Sequence, residues 1–72
     1  MAFNYSKLRG RIREKFGSEK KFAEAMGLSP SGLSDRLNHG MSFRQTELYK
    51  AAFLLDIDKL DLAAYFFTED VQ

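Results

Sequence analysis

Apolar residues recur with a helical period along almost the whole chain. Tyr5, Leu8, Ile12 and Phe16 fall at spacings of three and four, which places them on one helix face. Asn4 or Ser6 is the expected cap of that helix, and Gly17 its end. A second helix follows Ser18, a good N-cap, with Glu19 favourably placed in the first turn. Phe22, Ala23 and Met26 form its inward face, Gly27 closes it, and Leu28 points back from the turn into the core. Ser29-Pro30 starts a third helix, because proline at the first helical position gives up no needed N–H. Leu33 and Leu37 are its inward pair, and Asn38-His39-Gly40 ends it. Ser42 and Gln45 have capping-box spacing and predict a fourth helix from Ser42, with Leu48, Ala51, Ala52 and Leu55 inward and Asp56 at its close. A short fifth helix is expected from Asp58, carrying Leu60, Leu62 and Ala63 or Ala64. Tyr65-Phe66-Phe67 is too apolar for a free tail and should fold back, leaving residues 68–72 loose. With a single valine and no alternation, strands are not indicated. The pattern predicts an all-α, compact four- to five-helix domain over residues 1–72, without repeats or linkers.

Size and composition narrow the function. A chain of 72 residues makes one domain, and such a domain buries only about 60% of its unfolded surface, which leaves little room for an active-site cleft. There is no cysteine, and His39 is the only histidine, so disulfides, thiolate zinc sites and histidine clusters are excluded. Asp56, Asp58 and Asp61 suggest a metal loop, but Leu60 and Leu62 interrupt them and the glycine of a calcium loop is missing. Asp58 is more simply a helix cap. Neither an enzyme nor a cofactor, metal or small-molecule ligand is expected. No apolar run approaches the ~20 residues of a membrane span, and no signal-peptide stretch is visible. A cytoplasmic protein is expected.

Net charge is only +1, but its distribution is uneven. Residues 1–40 carry eight Lys/Arg and four Asp/Glu, a balance of +4, whereas residues 41–72 carry three and six, a balance of −3. Such a dipole orients a small domain toward a polyanion, unless these charges simply solvate the helix faces.

The second and third helices, joined by a tight turn at Gly27, have helix-turn-helix spacing over residues 18–38. Ala23 has to be small where the third helix crosses the second, Gly27 supplies the positive φ of the turn, and Phe22, Met26, Leu28, Leu33 and Leu37 fill the wedge between them. Ser31, Ser34, Asp35 and Asn38 share one side of the third helix, opposite Leu33 and Leu37. A merely solvated helix would carry Lys and Glu there. Short polar residues and Gly32 instead suit close approach to a partner, the alternative being a poor but tolerated surface helix. Lys20 and Lys21 occupy a first helical turn, where the macrodipole disfavours cations unless a phosphate reverses the penalty. On the first helix Arg9 and Arg13 flank one side of the apolar stripe and Lys7, Arg11 and Lys15 the other; of these, Arg11 and Arg13 are candidate phosphate contacts.

Phe22-Ala23-Glu24, Met26-Gly27-Leu28-Ser29, Ser31-Gly32-Leu33 and Leu37-Asn38 resemble the lambda repressor and Cro class of helix-turn-helix regulators over about residues 6–62. The longer string from Asn4-Tyr5-Ser6-Lys7-Leu8-Arg9-Gly10-Arg11-Ile12 to Tyr65-Phe66-Phe67 looks like a narrower group, short regulators of phages and prophages of Gram-positive bacteria. The resemblance implies a lambda-repressor-like domain that binds palindromic operator DNA through the major groove, usually as a dimer. It makes Ser31, Ser34 and Asp35 candidate base readers and Lys20, Asn38 and Arg44 candidate phosphate contacts. Two residues depart from that pattern. Pro30 stands where many relatives place a base-reading glutamine, and Asp35 brings negative charge toward DNA, where it either accepts from a cytosine amino group or is held by Arg36 or a lysine. Tyr49 and Phe53 lie off the inward face of the fourth helix; they form a dimer interface or are covered by Phe66 and Phe67. Operator binding is therefore the expected function. A protein-interaction module on the same fold, of antirepressor or antitoxin type, is the alternative.

Overall fold

The computed structural model describes residues 3–69. Helix α1 spans Ser6–Phe16, α2 Glu19–Met26, α3 Pro30–Asn38 and α4 Gln45–Leu54; a 3-10 turn over Lys59–Asp61 leads into α5, Leu62–Phe66. The domain is all-α, and the extended pairing among the described residues is one isolated antiparallel bridge between Phe3 and Glu69.

Each helix ends where its local chemistry ends it. Asn4 Oδ1 accepts from the Ser6 N–H at 2.9 Å, at the entry to α1. Ser18 Oγ accepts from the Lys21 N–H, and Ser29 Oγ from the Gly32 N–H, so two otherwise orphaned donors are satisfied at the starts of α2 and α3. Gly17 and Gly27 close α1 and α2 in the left-handed conformation. Asp58 Oδ1 accepts from the Leu60 N–H and caps the 3-10 turn.

The core is one cluster. Leu8 and Ile12 of α1, Phe22, Ala23 and Met26 of α2, Leu33 and Leu37 of α3, and Ala51, Ala52 and Leu55 from α4 and its end meet in it, with Ile57 and Phe66. Tyr5, Phe16, Leu28 and Leu48 pack against it half-buried. Phe66 turns back into the core and is only 1% exposed. Its ring meets Phe43 edge-on at 5.2 Å, and Phe43 meets Tyr5 at 5.8 Å. Burying a phenylalanine side chain contributes on the order of 1.5–3 kcal/mol, which is substantial for a domain this small.

Two expectations need correction. The fourth helix begins at Gln45, not Ser42, because the carboxylate that accepts the N-cap N–H is that of Glu47, bound to the Arg44 N–H at 2.8 Å. Residues 68 and 69 are tied down rather than loose: the Asn4 N–H donates to the Thr68 carbonyl at 2.7 Å, Thr68 Oγ1 donates to the Ala64 carbonyl, and Glu69 pairs with Phe3. Residues 70–72 of the expected tail lie outside the described residues.

Ala23 is wholly buried. Replacing it by leucine adds methylenes to a filled site, and Ala23→Leu is expected to cost about 1–3 kcal/mol. Urea denaturation measures this, and an unchanged midpoint would refute the close packing of α2 on its neighbours.

Candidate nucleic-acid interface

The turn between α2 and α3 is set by backbone geometry. Gly27 sits at φ 76°, its N–H bonding the carbonyls of Ala23 and Glu24, and the Leu28 N–H donates to Ala23 O at 2.9 Å. That left-handed residue turns the chain so that Ser29 and Pro30 open α3 at the surface. Ser29 Oγ and Ser31 Oγ lie 3.3 Å apart at the exposed start of the helix.

Arg36 points inward. It is 9% exposed, lies three residues after Leu33 on the same side of the helix, and forms a two-point pair with Glu47 of α4, both contacts 3.0 Å. Its Nη1 also donates to the Gly32 carbonyl at 2.7 Å. Arg36 is therefore unavailable to hold Asp35, which leaves a lysine as the other holder expected for that carboxylate. The cap of the helix accounts for Gly32 without a partner: a Cβ there would crowd Ser29 Oγ at 3.1 Å, while Arg36 Nη1 at 3.5 Å is an ordinary contact. Glu47 is held by several groups. Burial alone would push its carboxyl up, but the Arg44 N–H, the Arg36 hydrogen bonds and the two arginine charges outweigh burial and hold it below the usual carboxylate range.

The outer side of α3 carries Ser31, exposed, Ser34 and Asp35, half-buried, and Asn38, exposed. Asn38 is not a free arm. Its Oδ1 accepts from Arg9 Nη2, and its Nδ2 donates to Ser34 Oγ at 3.1 Å. Arg9 also donates to the Leu37 carbonyl and pairs with Glu19 at 3.0 Å, so it bridges α1 to the C-terminal end of α3 and the start of α2. No spacing rule exposes such a bridge, because its members are 10 to 29 positions apart. Lys20 and Lys21 at the start of α2, Arg44 before α4 and Arg13 on α1 are all exposed.

Arg11 is not a free phosphate contact as expected. Its Nε donates to the Leu55 carbonyl at 2.8 Å and its Nη2 to the Asp56 carbonyl at 3.2 Å, so it closes the C-terminal end of α4 and the turn beyond it. Asp56 takes a left-handed φ of 53° there. The Lys15 ammonium bonded to its carboxylate holds that carboxyl below its ordinary range.

Tyr49 and Phe53 are not covered by the C-terminal aromatics. Phe53 is 82% exposed, and Phe67 packs instead against Phe3 at 5.8 Å. With Ala52 and Ile57 they line an open groove edged by Asp56, Asp58 and Lys59, whose Nζ stands 5.8 Å from the Tyr49 ring centroid. Among the described residues no group of His, Asp and Glu is placed to hold a metal, and no helix is long and apolar enough to cross a membrane.

Comparison with known proteins places this architecture. The sequence matches the family described as "Protein of unknown function (DUF739)" over residues 1–69. No curated protein matches. Among solved structures, the chain is similar to the modulator of repression of the temperate bacteriophage TP901-1 from Lactococcus lactis, a solution structure. Identity is 39% and the TM-score 0.82, with 100% of this chain and 97% of that one covered.

The inward pair gives a pH signature. Because the Glu47 carboxyl is depressed in the fold, its stabilisation is present in full above the ordinary glutamate value of about 4.5 and is lost as pH falls through the folded value. Glu47→Gln is expected to lower stability at pH 7 by leaving the buried Arg36 charge without its anion, and to flatten the acid limb of stability as pH falls below the ordinary glutamate value of about 4.5. Thermal melts of both proteins across that range check it; parallel pH profiles would refute the assignment. Arg11→Ala, which uncaps α4, is expected to lower stability by about 1–3 kcal/mol, read by denaturant titration, without altering the salt dependence of any DNA binding.

Proposed function

We propose that this chain, which belongs to the DUF739 family of proteins of unknown function, regulates phage transcription by setting α3 into the major groove of operator DNA. The observation that carries this reading is the make-up of α3 and its surroundings. A short-chained polar side with an exposed, serine-capped start is flanked by Lys20, Lys21 and Arg44, all exposed. The ammonium groups at the start of α2 and the N–H groups of that helix end favour phosphate oxygens, which position the protein without reading sequence. Ser31, Ser34 and Asp35 then face base edges, where serine matches either donors or acceptors and aspartate accepts from cytosine N4. Similarity to a phage modulator of repression supports the regulatory setting.

A two-fold operator needs two copies of α3, and the open Tyr49–Phe53 groove is the apolar surface on which a second copy would pair. The same groove favours a second reading. An apolar surface edged by Asp56 and Asp58 also suits docking on another regulatory protein, and a protein that modulates repression acts either on the operator or on what binds it.

Selection from a random DNA pool separates the two. The DNA reading expects an enriched palindrome bound with a Kd of about 10⁻⁸ M or tighter at moderate salt. It also expects Lys20→Ala with Lys21→Ala to reduce the salt slope by roughly 2 per protomer, about 0.9 for each phosphate no longer neutralised. Enrichment of no sequence at low salt would overturn it and leave the protein-docking reading standing.

A further inference from the structure

The Arg9–Asn38–Ser34 chain has a direction. Arginine is a donor only, so the Asn38 atom facing Arg9 has to be the carbonyl oxygen. That turns the Asn38 amide nitrogen toward Ser34, whose Oγ accepts from it at 3.1 Å. A serine hydroxyl has one hydrogen and two lone pairs. With one lone pair taken by Asn38, the hydroxyl hydrogen is left free to donate outward, and no hydrogen bond from it is formed among the described residues. The amide nitrogen keeps a second hydrogen as well. Two donors thus stand side by side on the outer side of α3, fixed by a guanidinium on a different helix that is itself anchored to Glu19 and to the Leu37 carbonyl.

We propose that Arg9 is a positioning residue for base recognition: by fixing the Asn38 amide it turns Ser34 and Asn38 into a paired donor that prefers the adjacent N7 and O6 acceptors of guanine. This rests on the operator-binding reading and deepens it. Guanine presents two neighbouring acceptors in the major groove, whereas adenine pairs one acceptor with a donor and cytosine presents a donor amino group. Without Arg9 the amide is free to flip, and its oxygen would then face Ser34, whose hydrogen would be drawn into that bond. The Ser34 donor would then be used up inside the pair, and the amide hydrogens would move to the side that Arg9 now faces, so the two adjacent donors would be lost. Arg9 touches no base in this arrangement. It acts on base preference, while loss of its charge alone would weaken all sequences alike.

The test is selection from a random DNA pool with the full chain and with Arg9→Ala and Arg9→Lys, each confirmed folded by its thermal melt. For the wild type, an enriched guanine is expected whose replacement by 7-deazaguanine, which lacks the N7 acceptor, weakens binding on the order of 10-fold. Arg9→Ala is expected to lose preference at that one position and keep it elsewhere. Arg9→Lys, whose ammonium is likewise a donor only but lacks the fork that also holds Glu19 and the Leu37 carbonyl, is expected to keep part of that preference. An unchanged guanine preference in Arg9→Ala, or a wild-type site indifferent to 7-deazaguanine, would overturn the proposal and leave operator binding intact. A wild type that enriches no sequence would overturn operator binding and this proposal together.

Discussion

The guanidinium of Arg36 is the joint on which the arrangement of α3 depends. It lies inside the domain, takes both oxygens of Glu47, and returns to the Gly32 carbonyl of its own helix. Glu47 in turn accepts from the Arg44 N–H and fixes where α4 starts. One ion pair therefore ties the inward side of α3 to the start of α4. A buried pair of this kind contributes less to net stability than to uniqueness, because desolvation offsets much of the attraction, while loss of one partner strands a charge. Rolled as it is, α3 hides Leu33 and Leu37 and leaves Ser31, Ser34, Asp35 and Asn38 on the other side.

Much of this was legible from residue spacing. The starts of α2 and α3 were readable because Ser18 and Ser29-Pro30 are chemically decisive caps, and the core was readable because α1 to α3 keep a strict three-four apolar spacing. The start of α4 was not, since Ser42–Gln45 has capping-box spacing while Arg44 has no side-chain acceptor to mark it as a cap, and Glu47, which accepts from the Arg44 N–H, is held by Arg36 from another helix. The roles of Arg9, Arg11 and Arg36 were also out of reach. Each ends on a carbonyl or carboxylate of another helix, and a cation that caps a distant helix has the same local sequence as one that faces solvent. Arg36 alone left a trace, at three positions from Leu33 on the inward side. The polar side of α3 was visible as a pattern; the internal bonds of Ser34 and Asn38 were not, because they depend on Arg9 arriving from α1.

The molecule carries two kinds of surface, joined where Lys15 of α1 pairs with Asp56 at the groove edge. Cations collect on α1, α2 and the start of α4, while the end of α4 and the turn after it are apolar and acidic. Internal pairing sharpens the contrast. Arg9, Arg11 and Arg36 are drawn into the fold, so the positive surface near α3 comes from few residues, chiefly Lys20, Lys21 and Arg44. Attraction to a polyanion is correspondingly modest, and short-range contact has to supply more of any selectivity.

The bridge between Phe3 and Glu69, with the Asn4–Thr68 hydrogen bond beside it, has a kinetic meaning. The helices meet mainly through near neighbours in the chain, and such contacts form quickly. The clasp instead joins positions 64 residues apart, 4 and 68, and its closure entropy is repaid only once the helices between them are docked. It is thus the part of the fold expected to close last and open first. When it opens, Phe3 and Phe67 separate, and the aromatic cluster over Phe66 loses its cover while α2 and α3 beneath remain packed.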